Sequence, residues 1–241
     1  TVVSYIVVIQ FKTINITTLV GILASKFVLI GGGGLDCVTP KKSAISFFIQ
    51  QIDSPNPKIG FLGTAAGDDP LVVNRFNQIF SNYNCERYSF SFFERVPSNY
   101  KESIMSMDAI YVGGGNTKSM LAVWREWGID KLLNEYQQAD KVLGGESAGA
   151  MCWFKEGFTD SYANSFQKIN CLSFIPYSFS PHSSPDSDRN QFFKSAVKEK
   201  VLIPGIALGN YNSIVIHNNK IIDSENGLDV DYEIVEVKGL I

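Results

Sequence analysis

Apolar residues along this chain gather in runs of four or five, and between the runs they recur at helical spacing. Phe27–Ile30 is the first regular run and ends in Gly31–Gly34. Lys41–Ile52 then places Ile45, Phe48 and Ile49 on one face, which predicts a helix. Ile59–Leu62 predicts a second strand, closed by the small-residue turn Thr64-Ala65-Ala66-Gly67-Asp68. Val72–Phe80 reads as a helix, Arg87–Phe90 as a strand, and Ala109–Val112 as a strand closed by Gly113-Gly114-Gly115. Thr117–Tyr136 is long and helix-rich, with Asn116 as its cap, and Lys141–Leu143 is a strand leading into Gly144-Gly145-Glu146-Ser147.

Such alternation predicts an α/β fold: a doubly wound, mostly parallel sheet with helices on both faces. Right-handed crossovers bring the C-terminal ends of the strands to one edge, where ligand sites form. The glycine clusters 31–34, 113–115 and 144–149 all fall at that edge. Beyond residue 165 the pattern changes. Ser178–Arg189 is rich in Ser, Pro and Asp and reads as a loop, and Gln191–Lys200 resembles a helix. Ile206–Leu208, Ser213–His217, Lys220–Ile222 and Tyr232–Val237 read as short strands. With no linker and no internal repeat, residues 26–241 are expected to form one domain. Residues 1–25 are an atypical N-terminal extension. Lys12 breaks its apolar run, no stretch of ~18 apolar residues follows, and an extra strand or a poorly ordered leader is expected there.

The charge balance, 21 Lys and Arg against 24 Asp and Glu, leaves a net −3 and argues against a nucleic-acid partner. None of the four cysteines forms a C-x-x-C pair, so neither a zinc ribbon nor a thioredoxin motif is present, and a cytoplasmic protein with reduced cysteines is expected. No membrane role is expected.

The glycine clusters fail the dinucleotide test. Counting G-x-G-x-x-G from Gly31, Gly32 or Gly113 places Asp36, Cys37 or Lys118 at the third glycine, and no P-loop pattern exists. Gly145-Glu146-Ser147-Ala148-Gly149 does better. It reads G-x-S-x-G between a strand and a helix-compatible segment, the setting of a nucleophile elbow, where the Ala148 N–H helps to bind an oxyanion. The alternative is an ordinary tight turn. A serine nucleophile needs a base, and the chain has only two histidines. His182 lies in the polar loop Ser180–Ser184 and is the expected base; His217 ends a strand and is expected to be an exposed strand end. For the orienting acid, Glu156, Asp160, Asp186 and Asp188 remain open, with Asp186 and Asp188 also suited to solvating the loop or capping a helix.

Tyr111-Val112-Gly113-Gly114-Gly115-Asn116-Thr117, Gly145-Glu146-Ser147-Ala148-Gly149-Ala150 and Pro181-His182 together resemble the serine peptidases that include peptidase E (aspartyl dipeptidase) and cyanophycinase. Phe61–Asp68 is similar to that family's early strand and turn, and the resemblance runs from Lys26 to Ile222. It implies a flavodoxin-like sheet similar to class I glutamine amidotransferases. Ser147 is then the nucleophile, His182 the base, and Asp160 the nearest match to the family's variable acid position. It also implies a second oxyanion donor at Gly114, in the strand end Gly113–Gly115, with Asn116 and Thr117 shaping the pocket.

Two departures stand out. Position 146 carries Glu, whose carboxylate beside the nucleophile is expected to repel acidic substrate groups and favour basic or free-amino ones. Gly209-Asn210 stands near a place where relatives often have an acidic residue. The resulting expectation is a dipeptidase-like hydrolase of small peptides acting through an acyl-enzyme, with no metal or organic cofactor, as a monomer or homodimer. The competing readings are another serine hydrolase, such as an esterase, amidase or isopeptide-cleaving enzyme, and a non-catalytic binding protein on the same fold.

Overall fold

The structure, a computed structural model, describes residues 25–36, 43–162, 165–225 and 232–235. The expected extension lies outside these residues except for Ser25, and so does Cys37.

The central sheet has seven strands. In chain order these are β1 (Lys26–Ile30), β2 (Lys58–Leu62), β3 (Glu86–Phe90), β4 (Ala109–Val112), β5 (Val142–Glu146), β10 (Ser213–His217) and β11 (Lys220–Ser224). Their spatial order is β11-β10-β1-β5-β4-β2-β3. The five strands β1 to β5 run parallel, and β10 and β11 join antiparallel beside β1. The apolar runs are continuous because both faces are covered. Val28, Ile30, Phe61 and Tyr111 pack under helices α1 (Ala44–Gln50) and α2 (Pro70–Phe80). Phe27, Leu29, Ile110 and Val112 face the opposite core, beneath α4 (Thr117–Trp127) and α5 (Ile129–Tyr136). A short helix, α3 (Tyr100–Met105), precedes β4. The helix-rich stretch after Asn116 is two helices, because Gly128 adopts a left-handed φ of 69° and turns the chain between them.

The main departure from expectation is a second sheet. It comprises β6 (Phe154–Thr159), β7 (Gln167–Asn170), β8 (Ile175–Ser180), β9 (Gly205–Leu208) and β12 (Tyr232–Val235), in the order β12-β9-β8-β6-β7. Phe154, Ile175, Phe179, Ile206 and Leu208 carry it into the same core as α4 and α5. The polar stretch expected to be a loop over Ser178–Arg189 is shorter than that. Ser178–Ser180 completes β8, and Asp188 already begins α7 (Asp188–Lys198), capped by Ser187. This sheet matters for the site because β8 and β9 are parallel neighbours with Ser180 opposite Ala207, so the loops leaving them start side by side.

Candidate active site

Ser147 follows β5 directly and begins the single turn α6 (Ala148–Met151). Its φ of 53° and ψ of −113° are unusual for a residue with a side chain, and such backbone strain gathers at functional sites. Its N–H donates to the Ile30 carbonyl at 3.1 Å, which fixes the turn to β1. The flanking glycines have a steric reason. A Cβ on Gly145 would stand 2.5 Å from the Val112 carbonyl oxygen, and one on Gly149 would run into the same carbonyl. The first turn of α6 therefore lies against the main chain of β4, with no room for a side chain between them.

His182 lies in the loop after β8, with a left-handed φ of 54°, and its N–H donates to the Gly31 carbonyl at 3.1 Å. Its Nε2 is 2.7 Å from Ser147 Oγ, and its Nδ1 is 2.5 Å from Asn210 Oδ1. With an amide oxygen as its partner, Nδ1 carries the proton, and the Nε2 lone pair is left to accept from the serine hydroxyl. Asn210 stands between β9 and β10. The next residue, Tyr211, has a φ of 62° and donates its N–H to the Gly32 carbonyl at 2.8 Å. Gly32 lies so close beneath the pair that a Cβ there would overlap both the imidazole and the Asn210 side chain.

The structure thus brings Ser147 and His182 together and leaves Asp160 apart. Asp160 follows β6 in the second sheet, with its side chain 69% exposed and its carboxylate 3.5 Å from Arg189 Nη1. The expected acid is therefore replaced at the imidazole by Asn210, a correction that follows from the path of β6. Glu156 and Asp188 are engaged elsewhere. Glu156 accepts from Lys168 Nζ and the Ile203 N–H, and Asp188 opens α7. His217 ends β10 opposite Lys220. A cavity of about 650 Å³ borders Asp160, with Phe158, Phe166 and Phe192 in its wall, and neither Ser147 nor His182 lines it.

Gly114 lies beside Ser147: a Cβ there would be 3.4 Å from Ser147 Cβ. Gly113 extends β4 by donating to the Leu62 carbonyl at 3.1 Å. Among the described residues, neither the Gly114 N–H nor the Ala148 N–H has an acceptor, so both remain available to an oxyanion. The Asn116 side chain accepts from the Ser119 N–H at 2.9 Å, capping α4 as expected, and also reaches the Ser161 carbonyl at 3.4 Å.

Glu146 needs a second correction. The residue is 7% exposed and its side chain turns to the Gly34–Leu35 main chain, so its carboxylate does not stand free beside Ser147 to repel a substrate. Burial pushes its ionisation up to about 7, against the lowering effect of the Leu35 and Gly34 N–H groups. Among the described residues, no group of three or more His, Cys, Asp and Glu could hold a metal ion.

The part that sequence reasoning missed is the role of Asn210. Its signal was weak, an amide near the place where relatives often carry an acid. The cluster Gly31–Gly34, tested above as a nucleotide loop, is instead the bed of the His182–Asn210 pair.

Comparison with known proteins identifies the family. The peptidase YgaJ of Bacillus subtilis, itself uncharacterized, is 33% identical over 221 residues, 88% of this chain and 96% of that protein. The structure of a peptidase from an acI-B1 Actinobacterium superimposes with a TM-score of 0.60 at 19% identity, covering 90% of this chain and 97% of that one. A solved structure from Listeria monocytogenes superimposes with a TM-score of 0.62 at 19% identity, covering 83% of this chain and 97% of its own. The profile of peptidase family S51 matches residues 27–223, from β1 to β11, and the chain belongs to that family of serine peptidases.

Proposed function

We propose that this peptidase hydrolyses small peptides through an acyl-enzyme on Ser147. The observation that carries the reading is the relay from Ser147 Oγ through His182 to Asn210, with contacts of 2.7 and 2.5 Å. Ser147 attacks the scissile carbonyl while His182 Nε2 takes its proton. The Gly114 and Ala148 N–H groups bind the developing oxyanion. His182 then protonates the leaving amine, and a water molecule repeats the sequence to release the acyl group. Asn210 holds the tautomer and the ring orientation. Being neutral, it gives the transient imidazolium an oxygen dipole rather than a full countercharge.

Residues 26–241 are read as one catalytic unit. Free, buried Cys85, Cys152 and Cys171 suit a reducing compartment and support a cytoplasmic setting. No helix among the described residues is long and apolar enough to cross a membrane.

A dipeptide and isopeptide library, read by mass spectrometry with the wild type and Ser147→Ala, tests the proposal. The variant should lose turnover by about 10⁴-fold or more. Unchanged activity in it would end this reading, and a short-chain ester panel alongside separates a peptidase from an esterase.

A further inference from the structure

We infer that Glu146 is a positioning residue for this reaction: its carboxylate pins the main chain at Gly34 and Leu35, and through that loop it holds the bed on which His182 and Asn210 rest. The inference depends on the reading of Ser147 and His182 as nucleophile and base.

Glu146 is the last residue of β5 and pairs with Ile30, the last residue of β1. Its side chain therefore leaves the sheet where the loop Gly31–Asp36 begins. Oε2 accepts from the Gly34 N–H at 2.5 Å and from the Leu35 N–H at 3.3 Å, and Oε1 lies 3.3 Å from the Leu35 nitrogen. The same loop holds the catalytic pair at its other end. The Gly31 carbonyl accepts from His182, the Gly32 carbonyl accepts from Tyr211, and Gly32 lies against both the imidazole and the Asn210 amide. Five residues, Gly31 to Leu35, thus link the residue before the nucleophile to the base and its partner.

A buried carboxylate is an unfavourable way to fill space unless donors meet it. Here the donors are main-chain N–H groups of the loop itself, so the side chain sets the loop's shape. Three other groups face this carboxylate. They are the Tyr111 hydroxyl on β4, whose own ionisation is pushed well above its usual range by burial and by Glu146, the Asp36 carboxylate on the loop, and the Arg75 guanidinium on α2. Burial leaves Glu146 titrating at about 7. Ionised, it accepts from both amides; protonated, it loses part of that acceptor capacity.

The test is the rate at which a fluorophosphonate labels Ser147, in the wild type and in Glu146→Gln, between pH 6 and pH 8. Glutamine keeps the size and one acceptor oxygen but cannot ionise. The variant should react about tenfold slower at pH 8, and the gap should close to about twofold at pH 6, where the wild type is itself mostly protonated. Equal rates at pH 8, or a ratio constant across the range, would overturn the inference. Absence of labelling in the wild type at every pH would overturn the reading of Ser147 instead. If the variant does not fold, Glu146→Asp decides: it keeps the charge on an arm one methylene shorter, so labelling at pH 8 should be about tenfold slower than in the wild type, and an equal rate would overturn the inference.

Discussion

The Nδ1 of His182 lies 2.5 Å from the side-chain oxygen of Asn210, so a neutral amide stands where a serine triad ordinarily has a carboxylate. The amide supplies orientation without charge. Asn210→Ala should therefore lower kcat by about 100-fold, through loss of the correct tautomer and ring pose. Asn210→Asp should raise kcat by about tenfold, equivalent to about 1.4 kcal/mol, by stabilising the imidazolium. It should also move the acidic limb of the pH–rate profile to higher pH, since a carboxylate favours the protonated ring. A slower Asp variant with an unmoved profile would count against this account.

Gly32 has no room for a side chain, because a Cβ there would overlap the imidazole and the Asn210 amide. Gly32→Ala should displace the base and reduce kcat by about 100-fold, with about 1–3 kcal/mol of destabilisation from the crowding. Gly128→Ala is its control. Gly128 has a φ of 69° and nothing within 4 Å of a Cβ, so the change should remove about 1 kcal/mol of stability and leave kcat alone. Melting curves and fluorophosphonate labelling read the two effects separately.

Asp160, itself exposed, faces the buried Arg189 side chain at 3.5 Å, away from the imidazole. Asp160→Asn should leave kcat/KM within about twofold and lower stability by about 1–2 kcal/mol, more than for a fully exposed pair because the Arg189 side chain is buried. Arg189 keeps its bond to the Phe158 carbonyl at 2.9 Å in that variant. A loss of activity of 100-fold or more would restore Asp160 to the mechanism.

Glu146 should oppose stability where it serves activity. Its ionisation is raised from the ordinary 4.5 to about 7, so the folded chain binds a proton that the unfolded chain has released between those values. The stability this group contributes is fully present below 4.5 and is lost as pH rises through 7. By pH 8 that loss is about 3 kcal/mol. Glutamine cannot titrate, so from pH 5 to pH 8 the stability of Glu146→Gln relative to the wild type should rise by about 2.5 kcal/mol. Denaturant melts at the two pH values measure this, and parallel pH dependences would contradict it.

Much of this molecule was determined by the sequence alone, wherever the deciding interactions are local. The apolar runs Phe27–Ile30, Ile59–Leu62 and Ala109–Val112 became β1, β2 and β4 because a strand buried on both faces leaves a continuous apolar signature. The elbow at Ser147 was legible because its sterics act on immediate neighbours, Gly145 and Gly149. His182 emerged because only two imidazoles exist. The tertiary structure alone decided the partner of that imidazole. Asn210 lies 28 residues beyond His182, and the two meet because β8 and β9 run parallel and release their loops together over Gly32. The second sheet that creates this neighbourhood is built from strands such as Gln167–Asn170 and Ile175–Ser180, whose short polar-rich patterns do not announce it. Its β6 strand also carries Asp160 to Arg189 instead of to the base. Glu146 shows the same division: its place before the nucleophile was visible in sequence, but the direction of its side chain depended on which backbone amides the folded chain brought within reach.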